Sequence, residues 1–172
     1  MKFSEYKLLS TRTNKWLLSS QFDLAHALIG MTSELNELQD AMASGDFVNR
    51  SEELSDIAWY LSLYVNVRDI ELADSTYGQI GGTFSNLIRY VSLLTDLAKK
   101  WIIYNKEIPQ EIEKEYCQIL LNILANFDNG ECDFETGLQN NIDKLKKRYP
   151  EKYSDELAQN RDLLAERKEL EK

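Results

Sequence analysis

Histidine, proline, glycine and cysteine are all scarce: the 172 residues include one His, two Pro, seven Gly and two Cys. With His26 alone, the chain has no His-rich metal site and none of the Glu-x-x-His pairs of di-iron bundles. Cys117 and Cys132 lack CxxC spacing, which excludes a zinc ribbon or a disulfide framework and leaves two reduced thiols as the expectation. So little Pro and Gly, beside abundant Leu, Ile, Ala, Glu and Lys, disfavours a sandwich or barrel and favours helices. There is no 18-residue apolar run and no N-terminal apolar segment, so the expectation is a cytoplasmic chain with no membrane partner. Cations are outnumbered, 20 Lys and Arg against 29 Asp and Glu, for a net charge of −9. That balance argues against nucleic acid as a partner. An anion would bind only through a local basic cluster or a bridging cation.

What is present is helical periodicity. A short helical pattern occupies residues 1–20 (Tyr6, Leu9, Trp16, Leu17). Leu28, Met31, Leu35, Leu38 and Met42 step by three and four and predict a helix over about 21–43, ended at Ser44-Gly45-Asp46. A second helix, capped by Asn49 or Ser51, runs to about Val67. A glycine-bearing loop over Ser75–Thr83 follows. Then come helices over about 84–104 (stripe Leu87, Val91, Leu94, Leu97 or Ala98), 109–127 from Pro109 to Asn129-Gly130, and 134–148. A polar helical tail, 151–172, is expected outside the core. Together these predict one all-α domain, a helical bundle over 1–172. Helices 21–43 and 51–67, then 84–104 and 109–127, form two similar pairs with almost no residue identity, and the second pair lacks paired glutamates.

The chemistry-bearing pattern is Glu34-x-x-Glu37, fifteen residues, then Glu53-x-x-Asp56. Residues i and i+3 of a helix share a face, about 4.5 Å apart along the axis. Helices joined by a short break run antiparallel, so both acid pairs can meet across one interface. Two like charges about 4 Å apart repel by about 4 kcal/mol at an effective dielectric of about 20, so converging carboxylates need a cation. An all-oxygen set suits Mg²⁺, or Mn²⁺. The alternative on residues alone is a pair of solvated helix faces. Against it, Ala27, Gly30 and Ala41 share the arc of Glu34 and Glu37, which suggests close approach by a helix or a ligand. Beyond Asp56 the second helix is apolar almost all round, the mark of a buried helix. Tyr60 lies one turn beyond Asp56 on the same side, and His26 lies two turns before Glu34. Trp59, Trp16 and Trp101 are expected in the core or at an interface.

At these residues the chain resembles the all-α nucleoside triphosphate pyrophosphatases, and within them the MazG-like proteins, including phage-type members. His26-Ala-Leu-Ile-Gly30-Met-Thr-Ser-Glu34-Leu-Asn-Glu37-Leu is similar to that family's first acidic helix. Glu52-Glu53-Leu-Ser-Asp56-Ile-Ala-Trp59-Tyr60-Leu is similar to its second. Asn141-Ile-Asp-Lys144-Leu-Lys-Lys-Arg148-Tyr149-Pro150 resembles its Lys-Leu-x-x-Arg-Tyr-Pro segment. The resemblance implies a bundle with the four-helix core of that type. It further implies Mg²⁺-dependent hydrolysis of a nucleoside triphosphate to monophosphate and pyrophosphate. Glu34, Glu37, Glu53 and Asp56 would then hold metal and act in catalysis. Lys144 and Arg148 would meet phosphate with Asn141 and Tyr149 beside them, and Tyr60 and His26 would face base or sugar. The stretch from about 72 to 135 exceeds a minimal MazG-like unit. Both a homodimer or higher oligomer and a pseudo-dimeric single chain therefore stay open, as does a non-catalytic nucleotide-binding or interaction protein of the same fold.

Overall fold

The computed structural model describes residues 1–75, 81–127 and 132–172. Eight α-helices make up the described residues: α1 (Phe3–Ser10), α2 (Ser20–Ser44), α3 (Phe47–Val67), α4 (Phe84–Tyr104), α5 (Gln110–Ala125), α6 (Phe134–Arg148), α7 (Asp155–Gln159) and α8 (Leu163–Leu170). A 3-10 turn, Thr11–Thr13, follows α1. The one β pairing among described residues is an isolated bridge between Gly82 and Phe127. The chain is an all-α helical bundle.

Local chemistry explains the boundaries. Ser19, Thr83 and Ser154 each accept a backbone N–H at a helix start. Gly45 ends α2 at φ 71°, a left-handed conformation that costs glycine nothing. Asp46 then caps α3, accepting from the Asn49 N–H at 3.0 Å. The cap is therefore Asp46, not Asn49 or Ser51, because the break between the helices is only two residues long. Helices 84–104 and 134–148 coincide with the expected spans, while α5 stops at Ala125 so that Phe127 can meet Gly82. Asn129-Gly130 and Gly78 lie outside the described residues.

Four helices close a ring, in which α2 packs on α3, α3 on α5, α5 on α4 and α4 on α2. The two helical pairs of the sequence are thus one four-helix core. Its interior holds the predicted stripes: Leu28, Met31, Leu35 and Leu38 from α2, and Leu87, Val91, Leu94 and Ala98 (rather than Leu97) from α4. Outside the ring, α1 and α6 cover the far side of α3. With neighbours on every side, α3 buries Ile57, Ala58, Leu61, Leu63, Tyr64 and Val65, as its all-round apolar sequence requires. The polar tail docks on α6 through charge: Glu166 and Glu169 are buried, while Leu163 and Leu164 point outward, 61% and 79% exposed. Trp16 is exposed rather than core, and Arg68 stacks over the half-buried Trp101 at 4.6 Å.

Candidate metal centre and cleft

Close pairing of α2 with α3 creates the site. Antiparallel packing sets Gly30 against Tyr60 and Glu34 against Glu53. Oxygen atoms of Glu34, Glu37 and Glu53 all lie within 4.8 Å of one another. Their exposures are graded: Glu53 is buried, Glu34 half-buried and Glu37 exposed. Burial, then repulsion from Asp56, pushes the Glu53 carboxyl up to about 10, and the neighbouring Glu34 carboxyl adds to the rise. Glu34 itself is raised to about 7, again first by burial and then by the Asp56 charge. Without a cation, the cluster holds itself together by keeping protons. Three converging oxygen ligands of graded exposure, open on the Glu37 side, fit a hard divalent ion.

Asp56, the fourth acid of the motif, belongs to a different constellation. Lys144 Nζ lies 2.9 and 2.7 Å from its two oxygens and 3.1 Å from Glu52 Oε1. Asn141 also donates to Asp56, and the Tyr6 hydroxyl donates to Asn141 Oδ1 at 2.7 Å. Tyr6 is wholly buried, and that burial, with the Asp56 charge, keeps its phenol protonated. Of the expected phosphate ligands, Lys144 and Asn141 therefore stand behind Asp56 and fix it; neither lines the cleft.

That cleft has a volume of about 670 Å³. Glu34, Glu37, Glu52, Glu53 and Asp56 line its acidic end. Phe22, His26, Ile29, Trp59 and Tyr60 form an apolar and aromatic wall, and Lys15, Arg148 and Arg161 supply cations. His26 packs edge-on against Tyr60 at 5.6 Å and against Trp59 at 6.0 Å. Burial lowers the His26 pKa, against the pull of Asp23, and its Nδ1 has no hydrogen-bond partner among the described residues. Trp59 lines the cleft while its indole N–H donates to Ser10 O and Thr13 Oγ1, both at 3.0 Å.

Arg148 lines the cleft, with Nε 3.1 Å and Nη2 2.5 Å from the two oxygens of Glu166 on α8. Tyr149 is buried in the cleft wall against Tyr153, and its carbonyl accepts from Arg12 at 2.8 Å. Sequence reasoning missed Phe22 and Ile29 as wall residues, yet the signal was present. Phe22, His26 and Ile29 sit at i, i+4 and i+7, a second stripe on α2 away from the core stripe. Nothing in the sequence marked Arg161, Lys15 or Glu52 as site residues. No family model, curated protein or solved structure matches the chain.

Proposed function

We propose that the chain is a Mg²⁺-dependent nucleoside triphosphate pyrophosphohydrolase that controls or cleans a nucleotide pool. The observation that carries this reading is the gathering of Glu34, Glu37 and Glu53 oxygens within 4.8 Å at one end of a nucleotide-sized cleft. The resemblance of the acid pairs and the Arg-Tyr-Pro segment to the MazG-like pyrophosphatases points the same way. One chain closing its own four-helix ring supports the pseudo-dimeric form of that fold, with α4 and α5 taking the place of a partner's helices.

In this reading Glu34, Glu37 and Glu53 would hold Mg²⁺, which when bound supplies charge neutralisation of phosphoryl oxygens and acidifies water. The chain's own residues do the rest. Glu53 and Glu34 give up the protons they carry in the metal-free protein as the ion enters. Lys144 and Asn141 hold the Asp56 carboxylate fixed at the edge of the cluster. Arg148 meets the phosphate chain with its remaining N–H groups. Phe22, His26, Trp59 and Tyr60 exclude water and offer rings to a base.

Pyrophosphate release from a panel of ribo- and deoxynucleoside triphosphates with Mg²⁺ tests the proposal. Release that disappears in Glu37→Ala, with the fold intact by circular dichroism, is the expected result. No release from any nucleotide overturns it; retained Mg²⁺-dependent nucleotide binding without release selects a non-catalytic nucleotide-binding protein.

A further inference from the structure

The C-terminal tail is built backwards for an ordinary surface helix. Leu163 and Leu164 of α8 face outward, while Glu166 is 3% exposed. An acid is buried in this way only when it is paired. Its partners are two arginines. Arg148 comes from the end of α6, and Arg161, from the turn between α7 and α8, reaches the same carboxylate with Nη2 2.7 Å from Oε2. Burial would raise the Glu166 pKa, but hydrogen bonds and charge from Arg148 and Arg161 drive it down to about 2.

The placement of the three groups differs. Arg148 and Arg161 both line the cleft, and Glu166 does not. The acid therefore stands behind the two cations rather than between them and the cavity. One negative charge against two positive ones leaves a net charge of +1 at the cleft wall of a chain carrying −9. Each guanidinium gives only its Nε and Nη2 to Glu166, leaving Nη1 without a partner among the described residues. A bidentate bond also fixes the plane of a guanidinium, which lowers the entropy lost when it binds a second anion. Lys15, a third cation on the same wall, is likewise tied to the tail, through Asp155.

We infer that the tail completes a two-arginine clamp for a polyphosphate, with Arg161 as a second anion-binding residue and Glu166 as the positioning residue that aims it and Arg148 into the cleft. This rests on the nucleotide reading for its biological ligand but not for its test. Inorganic tripolyphosphate is the probe, with binding to the full chain measured by calorimetry with and without Mg²⁺. Arg161→Gln weakens binding about tenfold, and Arg161→Lys restores part of the loss. Glu166→Gln also weakens it, although the substitution makes the chain less acidic. Where nucleotide turnover is measurable, Arg161→Gln raises KM while kcat stays near the parent value. Unchanged affinity in Arg161→Gln overturns the inference, as does absence of tripolyphosphate binding by the parent chain. Equal or tighter binding in Glu166→Gln overturns the positioning role, since a carboxylate that merely occupied the cations would give that result. Circular dichroism of each variant separates loss of the clamp from loss of α8. Tripolyphosphate binding without any pyrophosphate release from nucleotides leaves the clamp standing and removes the enzymatic reading; the converse removes only the clamp.

Discussion

A Cβ placed on Gly30 would sit 2.1 Å from Cε1 of Tyr60. The missing side chain on α2 is what lets the Tyr60 ring of α3 lie flush beside the acid cluster. Gly30→Ala gains about 1 kcal/mol of helix propensity and loses about 1–3 kcal/mol to overpacking. The expected outcome is a small net destabilisation and a displaced Tyr60. Thermal melts and tyrosine fluorescence report both, and a several-fold weaker nucleotide affinity follows from the disturbed wall.

Proton release on metal binding is the second expectation. Glu53, raised to about 10, and Glu34, raised to about 7, carry protons in the metal-free chain near neutrality. A divalent ion needs both carboxylates ionised, so binding at pH 7 expels roughly 1–2 protons. Calorimetry with Mg²⁺ in buffers of different ionisation enthalpy counts them. In Glu53→Gln the count falls by about one and affinity drops. A count of zero for the parent chain would mean the ion binds elsewhere.

Stability should vary with pH in opposite senses on the two sides of about pH 5. Between the ordinary carboxylate range and about 10, the folded chain holds more protons on Glu34 and Glu53 than the unfolded one. Stability therefore falls as pH rises through that window, and Mg²⁺ flattens the slope. Glu166, driven down to about 2, behaves inversely: its contribution is present above the ordinary range and is lost as pH falls toward 2. Chemical denaturation of the metal-free chain at a series of pH values should show a maximum near about pH 5.

Lys144 is 2% exposed and pairs with Asp56 and Glu52. Lys144→Met removes the cation and strands two carboxylates beside Glu53, at a cost of about 3–5 kcal/mol. The midpoint of urea denaturation measures it. Because Lys144 does not line the cleft, adding Asp56→Asn to the same chain recovers part of the loss, the coupling expected of a buried pair.

Much of the fold was legible because helix periodicity is local. Leu28, Met31, Leu35 and Leu38 announced the buried face of α2, and the unbroken apolar run after Asp56 announced a helix surrounded by neighbours, which α3 is. Gly30 and Ala27 beside Glu34 signalled a close-packed face rather than a solvated one, and both meet α3 or the core. The Asp46 cap was not seen, because whether a cap lies before or after a candidate polar run depends on how short the turn is.

From its own spacing the sequence determined seven stretches of helical pattern, the last of which the structure divides into α7 and α8, two acid pairs each on one helical face, and a basic end to α6. Which acids meet was left to the tertiary structure. The rotation of α3 against α2 turns Glu53 toward Glu34 and Glu37, and the approach of α6 gives Asp56 to Lys144. The same long-range packing brought Arg161 to Arg148 through a buried Glu166, a contact no periodicity encodes. Spacing along a helix fixes a residue's face to within a few tens of degrees. The partner on that face is set by the relative rotation of packed helices, and that rotation is decided by the whole core at once.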